Sequence, residues 1–164
     1  MKQRIHLERI RATRWLLAFI VICTSLAFMG CDYDDDPVDT RSYTISGDAS
    51  GSQVVPGVSG TGTGTMSGTY DPNTRVLTYQ SGWNGLTGAP SSGGFYIAAR
   101  GSNGVAVGSP WTFDPTATAT GTTSGTMTLT EAQGAQLTAG NWYYSYGTLA
   151  NEGGEIRGQI AAER

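Results

Sequence analysis

The amino-acid sequence predicts an all-β domain, an antiparallel sandwich or a Greek-key barrel with one short helix near residues 130–139. Three observations lead to this class. Short segments that alternate apolar and polar residues recur through residues 42–164, turn-forming residues separate them, and 24 glycines accompany a charged fraction of only 14%. Because an ordinary soluble domain carries about 25% charged residues, the composition argues against a long helical protein, a coiled coil and a DNA-binding domain.

The alternating segments are the main strand signal, since a period of two places every second side chain on the same face of a strand. Threonine is abundant in these segments, as expected on pleated surfaces. We expect at least seven short strands. Their apolar positions are Tyr43 and Ile45; Met66 and Tyr70; Leu77 and Tyr79; Phe95, Ile97 and Ala99; Met127 and Leu129; Trp142, Tyr144 and Tyr146; and Ile156 and Ile160.

Turn-forming residues predict one hairpin, and the structure of one glycine-rich segment is left with two alternatives. The sequence Asp-Pro-Asn-Thr at 71–74 suits a type I turn, because Pro takes its second position and Asp can bond the backbone. This predicts a hairpin between strands at 63–70 and 75–81. The glycine-rich stretch 57–64 is compatible with a loop or with an edge strand.

The short helix is predicted from its ends. Thr130 and Gln133 have the spacing of a capping box, in which each side chain bonds the backbone N–H of the other. Leu129 and Leu137 flank the segment, and Gly140 suits its end.

The first thirty residues resemble a bacterial lipoprotein signal peptide. Five basic residues precede an uncharged run at 15–28, which is shorter than the roughly 20 residues that span a bilayer. The alternative is an uncleaved membrane anchor. The run ends in Gly30-Cys31, and the small residue before a cysteine resembles a lipoprotein box. We therefore expect lipidation of Cys31 and attachment to the membrane through that lipid.

Cleavage before Cys31 leaves 134 residues with five arginines, no lysine and twelve acidic residues, a net charge of −7. Cys31 is then the only cysteine, so an intramolecular disulfide is excluded. The negative charge opposes nucleic-acid binding, which requires basic side chains. The predicted organisation is a signal peptide at 1–30, a lipidated acidic tether at 31–41 and a β-domain at 42–164.

Five acidic residues lie within 32–39, directly after the predicted lipidation site. Such a run resembles the surface-export signal of Bacteroidetes lipoproteins, whereas an Asp after the cysteine resembles an inner-membrane retention signal in other lineages. A solvated tether and a calcium site are the further alternatives. We expect a lipoprotein of the bacterial cell envelope, in the outer membrane and exposed at the surface.

Six segments in order resemble the CHRD domain, which is named for chordin and is widespread in bacterial secreted proteins. The resemblance covers about 45–161 and implies an immunoglobulin-like β-fold. The segments are Gly-Ser-Gln-Val-Val-Pro-Gly-Val at 51–58, Gly-Thr-Tyr-Asp-Pro at 68–72 with Leu-Thr-Tyr at 77–79, Trp-Asn-Gly-Leu-Thr-Gly at 83–88, Gly-Thr-Met-Thr-Leu-Thr-Glu-Ala-Gln at 125–133, Ala-Gly-Asn-Trp-Tyr at 139–143 and Gly-Gly-Glu-Ile-Arg-Gly-Gln-Ile at 153–160.

The main departure from the family pattern is the absence of its usual histidines. The family usually carries His-Ile-His in mid-domain and tends to carry a histidine after the Asn-Trp-Tyr strand. This chain has Gly-Phe-Tyr-Ile-Ala-Ala-Arg at 94–100 in the comparable region, and its only histidine is His6 in the predicted signal peptide. A role of those family histidines in metal binding or acid–base chemistry therefore does not carry over.

The residue types present argue against catalysis. Nucleophilic sites need a base beside the nucleophile, and transition metals prefer imidazole or thiolate ligands. After processing the chain has no histidine, no lysine and no free cysteine, so we expect no metal, no cofactor and no enzyme activity. A carboxylate-based hydrolase is the remaining enzymatic alternative. Glu155 and Arg157 lie two apart on a predicted strand and are expected to form a structural pair.

Aromatic residues are the remaining binding candidates. Trp111 lies between Pro110 and Phe113 in a predicted loop, and Tyr96 opposes the Phe95 and Ile97 face of its strand. Aromatic side chains at such places stack on sugars or anchor proteins. The leading hypothesis is a lipid-anchored, extracytoplasmic binding or adhesion module for a surface protein or glycan. The alternatives are a structural spacer of the envelope or matrix and the hydrolase.

Overall fold

The computed structural model describes residues 41–164, which form one antiparallel β-sheet, a 3-10 turn and a short α-helix. The predicted signal peptide and all but the last residue of the tether lie outside the described residues. The strands are β1 (Tyr43–Ser50), β2 (Thr63–Asp71), β3 (Val76–Asn84), β4 (Pro90–Ile97), β5 (Val105–Val107), β6 (Gly121–Thr128), β7 (Trp142–Thr148), β8 (Asn151–Gln159) and β9 (Ala161–Glu163). Helix α1 (Glu131–Thr138) joins β6 to β7, and the 3-10 turn covers Gly51–Gln53.

The sheet order is β5-β4-β7-β8-β1-β2-β3-β6, and β9 pairs with β1. The sheet curls so that its two ends share one core. Tyr79 on β3 and Phe95 on β4 lie near opposite ends of the order, yet their ring centroids are only 4.8 Å apart in an edge-to-face contact. The prediction of an all-β fold with one short helix is confirmed. Within residues 41–164, no helix is long and apolar enough to cross a membrane.

The β2–β3 hairpin forms where the turn chemistry predicts it. Asp71 accepts a hydrogen bond from the Asn73 backbone N–H at 2.8 Å, and Tyr70 lies opposite Leu77 in the register. Strand β3 begins at Val76 and not at Arg75, because Arg75 has a φ of 58° and completes the turn. The strand then continues to Asn84, beyond the predicted end.

Helix α1 has the predicted capping box. The Gln133 backbone N–H donates to Thr130 Oγ1 at 3.2 Å, and the Thr130 N–H donates to Gln133 Oε1 at 2.8 Å. The helix ends at Thr138, and Gly140 follows with a φ of 73°, a left-handed conformation that suits glycine. Leu137 is fully buried and attaches the helix to the core.

The core lies inside the curl and is rich in aromatic rings. Trp142, Tyr144 and Tyr146, which alternation places on one face of β7, are all fully buried. Their side chains pack with residues from most of the other strands. The remaining buried apolar residues of this core are Ile45, Ala49, Met66, Tyr70, Leu77, Trp83, Leu86, Phe95, Val107, Leu129, Leu137, Ile156 and Ile160.

The structure corrects one local expectation and decides two points that the sequence left open. Strand β4 spans Pro90–Ile97, so Ala99 lies beyond it; the chain leaves the sheet after Ile97, where the Ala98 N–H bonds the Asn141 carbonyl. The three-residue strands β5 and β9 are too short to show an alternation. In the glycine-rich stretch, 57–62 form a loop and strand β2 starts at Thr63.

Candidate functional site

Strand β6 lies at one end of the sheet order and exposes one edge. All eight of its residues pair with β3, from Thr128 opposite Val76 to Gly121 opposite Trp83. Among strands within 41–164, β3 is the only neighbour of β6. We call the side of β6 that faces away from β3 its outer edge.

The register shows which backbone groups face this outer edge. The Leu129 N–H donates to the Arg75 carbonyl at 2.8 Å, one step beyond the last pair of the β3–β6 ladder. Hydrogen-bonded and non-bonded pairs alternate in an antiparallel ladder, so odd-numbered residues of β6 bond β3. The N–H and C=O groups of the even-numbered residues therefore point outwards. These residues are Thr122, Ser124, Thr126 and Thr128.

A groove of about 530 Å³ runs beside the outer edge of β6. Its volume is in the range of ordinary ligand sites. One wall is β6, the other is the segment 107–112, and three aromatic rings lie at its base. We call this the β6 groove; it is lined by Tyr79, Phe95, Val107, Gly108, Ser109, Pro110, Trp111, Thr112, Thr123, Ser124, Thr126, Met127 and Thr128.

Trp111 reaches the base of the groove from the loop between β5 and β6. Its backbone N–H donates to the Gly93 carbonyl at 2.9 Å. Its ring stacks on Tyr79 with centroids 5.7 Å apart and meets Phe95 edge to face at 5.1 Å. A tilted contact with Tyr146 at 5.1 Å connects it to the core. Trp111 is therefore both a half-buried packing residue and part of the groove lining.

Tyr79 lies against β6 because the facing residue is glycine. A Cβ on Gly125 would come within 2.7 Å of the Tyr79 hydroxyl, so a larger residue would displace the ring. Burial raises the pKa of that hydroxyl above its ordinary value, and a hydrogen bond from the Trp111 side chain offsets part of the rise. The Tyr79 phenol stays neutral at physiological pH and can only exchange hydrogen bonds.

A second cavity of about 200 Å³ continues along β6 and shares Thr112 and Thr123 with the first. It includes Asp114, the only charged residue among the described residues that line the two cavities. The Asp114 carboxylate accepts the Thr116 backbone N–H at 2.7 Å. Hydrogen bonds from the Thr116 side chain and backbone hold the pKa of Asp114 below its ordinary value. The groove therefore offers hydroxyls, backbone groups and aromatic surface, with its single charge already hydrogen-bonded.

The family model of the CHRD domain matches residues 45–160, more than half of the chain. The chain belongs to the CHRD domain family. The matched range begins in β1, ends directly after β8 and includes the whole β6 groove. No curated protein and no solved structure matches the chain.

Tyr96, the second predicted binding residue, lies elsewhere on the CHRD domain. Its ring stacks on Tyr143 with centroids 5.0 Å apart and an interplanar angle of 11°. The Arg157 guanidinium covers Tyr143 at 3.5 Å from its ring centroid. Burial raises the pKa of Tyr96, with a smaller contribution from Tyr143. The structure thus places Trp111 in the β6 groove and Tyr96 in a separate stack outside its lining.

Glu155 is the most deeply engaged acid of the domain. Its carboxylate accepts bonds from the Thr87 N–H at 2.7 Å and from the Thr87 and Thr148 hydroxyls, each at 2.6 Å. A longer bond from Asn151 adds to these at 3.3 Å. Burial raises the pKa of Glu155, but the bonds from Thr148, Thr87 and Asn151 together hold it below its ordinary value.

Arg157 has partners of its own, so the predicted Glu155–Arg157 pair is wrong. Besides the Tyr143 ring, its guanidinium donates to Asn103 Oδ1 and to the Ala99 carbonyl, each at 3.5 Å. Burial lowers the pKa of Arg157, and the nearby Tyr143 offsets part of that effect. Across residues 41–164, no three His, Cys, Asp or Glu side chains are grouped so that they could hold a metal ion.

Sequence reasoning did not identify the outer edge of β6 as a binding surface, although the composition of the strand carries a signal for it. The segment Gly-Thr-Thr-Ser-Gly-Thr-Met-Thr at 121–128 contains no charge and no proline, the residues that ordinarily protect an edge strand. Only the strand order shows that this segment lies at an edge.

Proposed function

We propose that this CHRD domain is a lipid-anchored, extracytoplasmic binding module without catalytic activity, and that its ligand occupies the β6 groove. The observation that carries the proposal is the groove itself, about 530 Å³ with aromatic rings at its base and outward backbone groups along one wall. Its lining suits an uncharged ligand, because a charged one would lose hydration without gaining a partner.

The chemistry of the lining supports binding over catalysis. Tyr79 is the titratable residue at the base of the larger cavity, and its raised pKa keeps it protonated. Glu155, the buried acid, is surrounded by Thr87, Thr148 and Asn151 and is not part of either lining. The proposal thus gives no role to a carboxylate pair of the kind used in glycoside hydrolysis.

The anchor in this proposal is Cys31, acylated after cleavage of residues 1–30. The preceding uncharged run and Gly30 support it. The acidic run at 32–39 then acts as a solvated tether that holds the domain away from an anionic membrane. The proposed location is the bacterial cell envelope, as an outer-membrane lipoprotein exposed at the surface. The membrane contact is made by the lipid alone, since the remaining chain carries a net charge of −7.

The groove is tested by titrating the ¹⁵N-labelled full chain in detergent with two probes, a panel of neutral oligosaccharides and a pool of uncharged peptides. We expect amide shifts concentrated on β6 and on 107–112 with one of the probes. Thr126→Trp, which fills the groove, should abolish them. Thr69→Trp, on an exposed position of β2 away from the groove, is the matched control and should retain them. Shifts elsewhere, or none with either probe, would refute this function.

A further inference from the structure

The outer edge of β6 has none of the features that usually keep an edge strand from pairing. Proteins blunt such edges with charged residues, proline or very short strands. Strand β6 is eight residues long and has neither charge nor proline, whereas β5, at the other end of the sheet, has only three residues. One end of the sheet is therefore protected by a very short strand, whereas the end at β6 lacks such protection.

The unpaired backbone groups of this edge lie along the wall of the groove. Ser124, Thr126 and Thr128 line the larger cavity and Thr122 the smaller one. All four side chains are exposed, and their N–H and C=O groups point away from β3. Within the part of the chain that the structure describes, these outward N–H and C=O groups have no backbone hydrogen-bond partner. The spacing of two residues is the repeat with which a further strand would pair.

We propose that the β6 groove binds an extended, uncharged segment of another protein as an added strand along the outer edge of β6. This inference rests on the proposed function, since it identifies the ligand class of the same groove. Main-chain hydrogen bonds to the four outward residues supply the affinity. Alternate side chains of the added strand enter the groove and contact the aromatic base, which supplies the specificity.

The groove favours a peptide over a glycan because its aromatic rings are partly covered by one another. A sugar stacks on an open aromatic face, but the Trp111 ring is stacked on Tyr79 and packed against Phe95 and Tyr146. Along β6 the groove offers serine and threonine hydroxyls together with the outward backbone groups. The outward N–H and C=O groups match a peptide main chain in both donors and acceptors.

The opposite wall argues against a second copy of this chain pairing edge to edge. The segment 107–112 faces β6 across the groove, and Gly108 brings it close to Met127: a Cβ on Gly108 would lie 3.0 Å from the Met127 methyl carbon. A single strand needs about 4.8 Å of separation from β6. The segment 107–112 lies on the side of β6 where the further strands of a neighbouring sheet would follow the first added strand, whereas an isolated extended segment adds one strand only.

Charge defines the partner further. The larger cavity has no charged residue in its described lining, and Asp114 in the smaller one is held by Thr116. A lysine or glutamate in the bound segment would be desolvated without compensation. The expected segment therefore alternates apolar residues, which face the groove, with small polar residues, which face solvent.

Dodecapeptides that bind the full chain in detergent are first selected from a random phage-displayed library. Their binding to the wild-type chain is then compared with their binding to two variants of Ser124. Ser124→Pro removes an outward N–H without removing a bond to β3, and edge strands accept proline at such a position. Ser124→Ala is the matched control, because it removes the hydroxyl and keeps the N–H. We expect Ser124→Pro to weaken peptide binding about tenfold, the worth of one main-chain hydrogen bond. Ser124→Ala should change it less than twofold.

A second arm leaves the protein unchanged, so it does not depend on the folding of the proline variant. The selected peptide is N-methylated at alternate residues in two complementary versions. One version blocks the main-chain groups that face β6 and should lose binding, and the other should retain it. Equal effects of the two versions, or equal effects of Ser124→Ala and Ser124→Pro, would overturn the added-strand proposal.

The outcomes separate this inference from the proposed function. If neutral oligosaccharides shift the amides of the β6 groove and the library yields no peptide that does so, the groove is a binding site and the added strand is refuted. If neither probe affects the groove, both proposals fail. A peptide that binds the groove with the N-methylation pattern of a paired strand supports both.

Discussion

At the scale of single residues, β8 shows why spacing alone does not identify a partner. The period of a strand places Glu155 and Arg157 on the same face, which is why sequence reasoning pairs them. In the structure the Glu155 carboxylate is bound by Thr87, which lies 68 positions earlier in the chain. Arg157 instead covers the ring of Tyr143 on β7. Strand β7 and the connecting loops that contain Thr87 and Asn103 supply these partners. The local sequence pattern of β8 does not show which segments will lie against it.

Glu155→Gln should destabilise the domain at neutral pH by about 1–3 kcal/mol, because it weakens charge-assisted hydrogen bonds at a site only 3% exposed. The folded state holds the pKa of Glu155 below its ordinary value. The contribution is therefore present above the unfolded pKa, about 4.3, and is lost as the pH falls through the lower folded value. Urea unfolding of both proteins across acidic and neutral pH measures it.

The matched control is Glu152→Gln, on the same strand at an exposed position. It should change the free energy of unfolding by less than about 0.5 kcal/mol at any pH. If the difference in the free energy of unfolding between wild type and Glu155→Gln stays constant as the pH falls through the acidic range, the assigned hydrogen bonds are contradicted.

At the scale of elements, helix α1 was predictable in its cap and not in its contact with the sheet. The spacing of Thr130 and Gln133 is a local signal, and both bonds of the capping box form. Gly134 in the middle of the helix looks unfavourable from propensity alone. The structure explains it, because a Cβ there would meet the hydroxyl of Tyr70 on β2, a residue only 4% exposed.

Gly134→Ala should therefore destabilise the domain, although alanine is the better helix former. The gain in helix propensity is about 1 kcal/mol, whereas overpacking a closed contact costs about 1–3 kcal/mol. Adding Tyr70→Phe removes the hydroxyl nearest to the new Cβ and should recover part of the loss. Thermal unfolding of the single and double variants tests this, and a Gly134→Ala variant more stable than wild type would show that the helix is free to shift.

At the scale of the whole molecule, the curl of the sheet creates both the core and the candidate site. Because the order runs from β5 to β6 and the two ends approach one another, rings from β3 and β4 meet in one cluster. The loop before β6 packs Trp111 against both rings. The β6 groove lies where this curl leaves β6 without a neighbouring strand among the described residues.

The proposed lipid anchor concerns the whole molecule, since attachment to a membrane would set where the domain acts. Cys31→Ala should leave an unacylated precursor, seen as loss of radiolabelled palmitate incorporation in the bacterial host. Cys23→Ala is the matched control, because Cys23 lies in the predicted signal peptide, and it should keep the label. Full labelling of Cys31→Ala, or loss of label with Cys23→Ala alone, would contradict lipidation at Cys31.

Sequence patterns were enough to predict the all-β class, the β2–β3 hairpin and the capped helix, because alternation, turn chemistry and capping act over a few residues. The family was predicted from six segments in order. Tertiary structure alone decided that β6 is an edge, that Trp111 lines a groove while Tyr96 stacks on Tyr143, and that Glu155 binds Thr87. Strand order and loop paths bring together residues tens of positions apart, and such contacts depend on the packing of the entire curled sheet.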